Sequence, residues 1–157
     1  MAKSRKLAIV FAALFATTVG GVAVAYWTAG GSGTGTAGTS TGTALVVNQT
    51  STVSGLEPGG TAQALSGDFD NPNPGSAYVG TVTVSIASVV KAGGAPAGTC
   101  DATDYTLTGA AMTVNAQVPA GNGKGAWSGA TIAFNNKAAV NQDACKGATV
   151  NLAYAIS

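Results

Sequence analysis

The sequence predicts an all-β protein: an antiparallel β-sandwich of about seven strands that follows an N-terminal signal helix. Three observations predict this class. Apolar and polar residues alternate in short segments, and these segments are separated by Gly, Pro and Asn. In addition, no segment after residue 43 carries an apolar stripe of helical period. Each strand then has one apolar face, which two sheets bury against each other. Jelly-roll and immunoglobulin-like arrangements both fit this pattern.

Seven segments carry the alternation, and the clearest of them is Ala77–Val90. In this segment a regular period of two places Tyr78 on the same face as Val82 and Val84. All five prolines fall between the proposed strands, where a missing N–H breaks no ladder. The seven segments are residues 44–52, 61–69, 77–90, 105–109, 112–118, 130–134 and 148–156. We expect helix to be minor, with at most a short turn within residues 135–147.

The first 25 residues have the order of a secretory signal peptide. Lys3, Arg5 and Lys6 precede an apolar run over residues 7–16. The alternative is a signal anchor, because residues 7–27 carry no charge and are long enough to span a bilayer. Either way the basic residues stay on the cytoplasmic side, and the following domain lies outside the membrane.

The residues before Tyr26 favour cleavage over anchoring. Ala23 and Ala25 present the small side chains that a signal peptidase accepts. We therefore expect the mature chain to begin at Tyr26 and to be secreted or displayed at the cell surface. The leader is then the only membrane contact that we expect, and only if it is retained.

Residues 26–43 form a Gly- and Thr-rich segment ahead of the predicted domain, residues 44–157. The simpler interpretation is a flexible linker. However, Thr34, Thr36, Thr39, Thr41 and Thr43 nearly alternate with small residues, and Thr favours strands. The segment is therefore either a flexible linker or a strand that the protein donates to a partner.

The net negative charge of the chain after the leader makes nucleic acid an unexpected partner. After residue 25 the chain holds four lysines against six carboxylates and no arginine, a net charge of −2. Such a surface has no basic patch to neutralise phosphates. Only about 8% of the residues are charged, against roughly 25% in ordinary globular domains. Low charge also leaves little repulsion to oppose self-association.

Two cysteines, Cys100 and Cys145, predict one disulfide in an extracellular protein. A zinc site is the weaker interpretation, since the chain contains no histidine and only these two cysteines. A redox pair would normally have a C-x-x-C spacing. We therefore expect the pair to be structural.

Residues 66–76, SGDFDNPNPGS, are the most site-like part of the sequence. Asp68, Asp70, Asn71 and Asn73 offer the oxygen ligands that calcium prefers. However, Pro72 and the lack of a later Glu depart from an EF-hand, and Asx-Pro-Gly clusters form turns on their own. We favour a structural turn and keep calcium as the alternative.

Trp127 is a candidate binding residue, since it follows several glycines in PAGNGKGAWSG, which we predict to be a loop. An exposed Trp could stack on a sugar or anchor a partner protein. The favoured alternative is a Trp that folds over the rim of the sandwich.

Catalysis has few candidate residues. The lack of histidine excludes the Ser-His-Asp and Cys-His arrangements and the two-histidine zinc motif. Asp101 and Asp104 are the nearest pair of carboxylates that could act as acid and base. Both lie just after Cys100 in a predicted turn, so we favour solvated loop carboxylates over a catalytic pair. We expect no catalytic residues and no cofactor.

The residues AVAYWTAGGSGTG, which follow the basic, Ala-rich leader, resemble the SipW-type signal junction of exported bacterial proteins. That group includes the TasA and camelysin-like matrix proteins, in which a specialised signal peptidase cuts before an aromatic pair, here Tyr26 and Trp27. The phrases DNPNPGSAYVGTVTV and NQDACKGATVNLAY also resemble exported proteins of high-GC Gram-positive bacteria. The resemblance is most specific over residues 1–43.

This resemblance implies a secreted β-sandwich at the cell surface or in the extracellular matrix. TasA-like subunits assemble when the segment after the cleavage site adds as a strand to the next subunit. Camelysin-like members have been described as metalloproteases, from which this chain departs because it has no histidine.

We therefore expect a non-enzymatic structural or cell-surface protein that associates with itself through its N-terminal segment, or with a cell-envelope component. The alternative is a small extracellular binding module for a glycan or a partner protein.

Overall fold

The computed structural model describes residue 32 and residues 34–157 of the chain. The chain divides into two units, Met1–Thr39 and Ser40–Ser157. In the first unit the described residues are exposed and have no regular secondary structure. The predicted signal helix and its cleavage residues, Ala23, Ala25 and Tyr26, lie outside the described residues.

The second unit is an all-β sandwich of two antiparallel sheets, which confirms the predicted fold class. A four-stranded sheet has the order β1-β2-β6-β4, and a three-stranded sheet has the order β5-β3-β7. The strands are β1 (Val46–Gln49), β2 (Gln63–Asn71), β3 (Ala77–Val90), β4 (Tyr105–Thr108), β5 (Ala111–Val118), β6 (Gly121–Phe134) and β7 (Thr149–Ile156). Two single-turn 3-10 helices, Ala102–Asp104 and Asp143–Cys145, complete the described elements.

The core lies between the sheets and is filled by the inward-facing residues of the long strands. Phe69, Leu65 and Ile132 come from the four-stranded sheet, and Val79 and Val82 come from β3 opposite. All five are buried with 1% or less of their surface exposed. A second, smaller cluster of Tyr105, Phe134 and Cys145 closes one end. The alternation read from the sequence is therefore the pattern that buries these side chains.

Strand β3 contains a β-bulge, and this makes one prediction wrong. The N–H groups of Gly80 and Thr81 both donate to the carbonyl oxygen of Ser157, over 3.0 and 2.9 Å. A bulge adds one residue to its strand and shifts the alternation by one position. Val79 and Val82 therefore both face the core, while Tyr78 lies on the outer face and is 61% exposed.

Strand β6 is much longer than the sequence predicted. It runs over fourteen residues, Gly121–Phe134, and includes most of the stretch that we predicted to be a glycine-rich loop. Only Pro119 and Ala120 separate it from β5, so the chain crosses from one sheet to the other within two residues. Glycines made the segment resemble a loop, whereas pairing with β2 holds it in the sheet.

The single glycine of β2, Gly67, is required by a close approach between strands. An added Cβ at Gly67 would overlap the carbonyl oxygen of Asn48 and lie 2.6 Å from Cζ2 of Trp127. The Trp127 indole therefore packs directly over the backbone of β2, at a place where no side chain fits.

We expect Gly67→Ala to lower the free energy of unfolding by about 1–3 kcal/mol, because the methyl group forces the indole and the neighbouring strand apart. Thermal and urea unfolding of the purified protein would measure this change. Gly75→Ala is the matched control, since an added Cβ there meets no atom within 4 Å. Equal stabilities of the two variants would contradict the close packing of Trp127 over Gly67.

Candidate functional site

The four candidate calcium ligands fall into two pairs: Asp68 and Asp70 share one face of β2, whereas Asn71 and Asn73 contact each other. Asp68 and Asp70 occupy alternate positions of β2 that are half-buried, whereas Asn71 is 1% exposed on the inward side. Asp68 accepts a hydrogen bond from Nδ2 of Asn48 at 3.1 Å, and Asp70 accepts one from the N–H of Gly123 at 2.8 Å. Both carboxylates therefore tie β2 to its neighbouring strands.

Asn71 and Asn73 organise the turn between β2 and β3. Asn71 donates to the carbonyl oxygens of Val118 at 2.8 Å and Gly75 at 3.0 Å. Its own side-chain oxygen accepts from the backbone and side-chain nitrogens of Asn73. Asn73 also holds Thr43, the residue before the predicted domain, through paired bonds of 2.7 and 2.8 Å. These contacts fit the turn interpretation, with the side-chain amides satisfied within the protein.

Trp127 lies in strand β6 and is only 2% exposed, so its predicted place in a loop is wrong. Its Nε1–H donates to the carbonyl oxygen of Asp68 at 3.1 Å, and its ring centroid lies 4.8 Å from that of Tyr154 in β7. A buried indole cannot stack on a sugar at the surface. The side chain instead joins three strands from two sheets.

Cys100 and Cys145 form a disulfide, as predicted, with their Cα atoms 5.2 Å apart. The bond connects the segment before the first 3-10 helix to the end of the second. Cys145 packs with Tyr105 and Phe134, whose rings stack at a centroid distance of 4.9 Å. Disulfides form and persist in oxidising environments such as the extracellular space.

Asp104 is the most buried carboxylate among the described residues and anchors a polar cluster beside the disulfide. It is 3% exposed, and it accepts hydrogen bonds from Nζ of Lys137 at 2.8 Å and from Nε2 of Gln142 at 3.1 Å. It also accepts from the N–H of Asp101 at 3.0 Å, while the Asp101 side chain caps Thr103 in return. This reciprocal pair is a capping box on the 3-10 helix Ala102–Asp104.

These contacts set the protonation of the two carboxyl groups. Burial opposes ionisation of Asp104, but the hydrogen bonds from Lys137, Asp101 and Gln142 outweigh burial and lower its pKa below the usual 3.8. Hydrogen bonds from Thr103 lower the pKa of Asp101 in the same direction. A general acid near neutral pH needs a raised pKa, so this pair has the electrostatics of a structural cluster.

Within the described residues, Cys100, Asp104 and Cys145 are the group of potential metal ligands that lies close together. Both sulfur atoms belong to the disulfide, so no thiolate is available to bind a metal ion. The group therefore serves the packing of this end of the sandwich.

The feature that sequence reasoning missed is a groove along strand β7. It has a volume of about 600 Å³ and lies between β7 and the segment that follows β1. Ile132 and Tyr105 reach it from the core, Leu152 and Tyr154 from β7, and Gln49 from the end of β1. Burial raises the pKa of Tyr154, and its hydroxyl forms a hydrogen bond of 2.7 Å with Oε1 of Gln49.

No signal in the sequence pointed to this groove, because alternation does not say which strands lie at the edge of a sheet. Strand β7 was correctly predicted, with Val150, Leu152, Tyr154 and Ile156 on one face. Its place at an edge comes only from pairing with β3.

Comparisons with known proteins add no relative: no family model, no curated protein and no solved structure matches this chain. Over residues 34–157, the structure contains no helix long and apolar enough to cross a membrane.

We expect Asp104→Asn to lower the free energy of unfolding by about 1 kcal/mol near neutral pH, because Lys137 loses its charged partner. The pKa of Asp104 is lower in the folded protein than in the unfolded chain. Its ionised form therefore stabilises the fold above pH 3.8, and this contribution is lost as the pH falls through the lowered value.

Chemical unfolding of wild type and variant across the acidic range would measure this difference. Asp143→Asn is the matched control, because Asp143 pairs with Lys146 at an exposed site where ion pairs contribute little. A wild-type advantage over Asp104→Asn that persists unchanged at the lowest pH would contradict the assignment.

Proposed function

We propose that the protein is a secreted, non-enzymatic structural protein of the cell surface or extracellular matrix, and that it associates with itself. The observation that carries this proposal is that the strands of the three-stranded sheet contain no charged residue. Its strands β3, β5 and β7 contain 14, 8 and 8 residues, and none of these residues is charged. Two copies of one chain carry the same charges, so an uncharged sheet is a surface on which copies meet without repulsion.

The roles of the carboxylates support a structural function. Asp68 and Asp70 hold neighbouring strands, Asp101 and Asp104 form a capping box, and Asp143 pairs with Lys146. The chain also lacks histidine, the usual general base. These carboxylates therefore act as hydrogen-bond acceptors and partners of lysine, and catalysis has no evident centre in the described domain.

Location outside the cell rests on two independent features. The Cys100–Cys145 disulfide is typical of an oxidising compartment. The first 25 residues have the charge and size pattern of a secretory leader. Together they support export.

The N-terminal segment is the proposed route of self-association. Residues 34–42 are exposed and have no regular secondary structure, and Thr43, the next residue, is held by Asn73 through paired hydrogen bonds. Because its threonines nearly alternate, the segment can extend as a strand on a neighbouring copy, which is β-augmentation. Contacts between two different surfaces repeat from copy to copy and produce filaments.

We expect deletion of residues 26–42 from the mature protein to abolish filaments or large oligomers and to leave the sandwich folded. Light scattering and sedimentation velocity would measure particle mass, and circular dichroism would check the fold. A second variant keeps the length of the segment and replaces Thr34, Thr36, Thr39 and Thr41 by glycine; because this lowers the strand preference, we expect it to lose the large particles as well. Particle mass that is unchanged in both variants would contradict association through this segment.

A further inference from the structure

Strand β7 differs from the other edge strands of the sandwich. Within the described domain, β1 and β4 are the edges of one sheet and are four residues long. Strand β5 itself carries an extra residue where its pairing with β3 shifts register, and its Asn115 has a φ of 47°. In the pairing of β3 with β7 the extra residue lies on β3, between Ile86 and Ser88, so β7 stays regular. Strand β7 has eight residues without charge or proline, and exposed and half-buried residues alternate without interruption. Natural edge strands are usually protected against pairing by short length, irregularity, charge or proline, and β7 has none of these features.

The hydrogen-bond pattern shows which groups of β7 are free. Thr81 and Ser157 exchange both backbone hydrogen bonds, at 2.9 and 3.0 Å. Because such pairs alternate along an antiparallel ladder, Ala153 and Ala155 direct their N–H and C=O groups toward β3. The groups of Val150, Leu152, Tyr154 and Ile156 therefore point away from β3. Among the described residues, none of these groups has a backbone partner across that edge.

The side chains of β7 suit a second strand at this edge. The residues on the outer face of β7 are exposed and have short side chains: Thr149, Asn151, Ala153 and Ala155. The four apolar residues on the inner face are only half-buried, although they face the core. The groove of about 600 Å³ runs along this side and leaves room beside the strand. An added strand with apolar inner residues would cover these side chains.

We propose that β7 pairs antiparallel with the β7 of a second copy and joins two three-stranded sheets into one sheet of six strands. This proposal deepens the proposed function and rests on it. With the two-fold axis at Ala153, Leu152 lies opposite Tyr154 of the partner subunit, and Val150 lies opposite Ile156 of the partner subunit. All outward N–H and C=O groups of these residues then find partners, since an antiparallel pair exchanges both bonds.

A second β7 fits this edge better than the N-terminal segment does. Residues 34–43 offer Thr, Gly, Ala and Ser, which bury little apolar surface. The partner's β7 brings Val, Leu, Tyr and Ile to the same inner face. Strand β7 is also uncharged, so the identical strand meets no like charge. The symmetric contact closes on itself as a dimer, whereas the N-terminal contact extends from copy to copy.

The test is Ala153→Lys in the mature chain, studied by sedimentation equilibrium over a range of concentrations. Ala153 is exposed, so the monomer keeps its fold, but the two-fold axis places the new lysine opposite the lysine at position 153 of the second copy. Like charges that face each other cost several kcal/mol, so we expect the dimer dissociation constant to rise about 100-fold. Mixing Ala153→Lys with Ala153→Glu should restore a dimer. Ser85→Lys, on the same outer face but in the central strand β3, is the control that keeps the wild-type constant.

Hydrogen exchange provides a readout that needs no variant. The amides of Leu152 and Tyr154 should exchange more slowly as the wild-type concentration rises, while those of Ala153 and Ala155 stay protected at all concentrations. If Ala153→Lys dimerises like wild type and the Leu152 amide exchanges at one rate throughout, β7 pairing is overturned. If deletion of residues 26–42 then abolishes self-association, the proposed function survives without β7 pairing. A wild type that is monomeric at every concentration overturns both.

Discussion

The packing of Trp127 between the two sheets is the contact on which the rest of the sandwich depends. The indole comes from β6, lies over the backbone of β2 at Gly67, and meets Tyr154 of β7 across the interface. Its N–H is satisfied by the carbonyl oxygen of Asp68, so a polar atom enters the core without an unpaired donor. One side chain of β6 thus contacts its paired strand β2 and also β7 in the opposite sheet.

One end of the sandwich is closed by covalent and polar contacts. The Cys100–Cys145 disulfide joins two segments that are 45 residues apart in sequence, and the capping box of Asp101 and Asp104 fixes the short helix next to Cys100. Lys137 links the chain after β6 to the same carboxylate. The chain has few charged residues with which to form ion pairs. Its most buried carboxylate, that of Asp104, lies where two irregular segments meet.

Much of the fold could be predicted from the sequence, because alternation and turn residues are local signals. The strands around Val82, Val150 and Phe69 were identified in this way, and the disulfide followed from cysteine usage. The failures arose where tertiary contacts override local preference. The bulge opposite Ser157 turned Tyr78 outward, and pairing with β2 held a glycine-rich segment, including Trp127, in β6. The groove could not be predicted, since alternation does not reveal the order of strands in a sheet.

The distribution of charge connects this architecture to the proposed assembly. The charged residues of the sandwich all lie in the four-stranded sheet or in connecting segments, since β3, β5 and β7 have none. A dimer through β7 would extend only the neutral sheet, and the carboxylates Asp68 and Asp70 on β2 would stay with the other sheet. Association at that edge therefore need not desolvate any charge. A bulge in β5 limits pairing at the other edge of the neutral sheet, so the structure favours one closed contact there over an unlimited stack of strands.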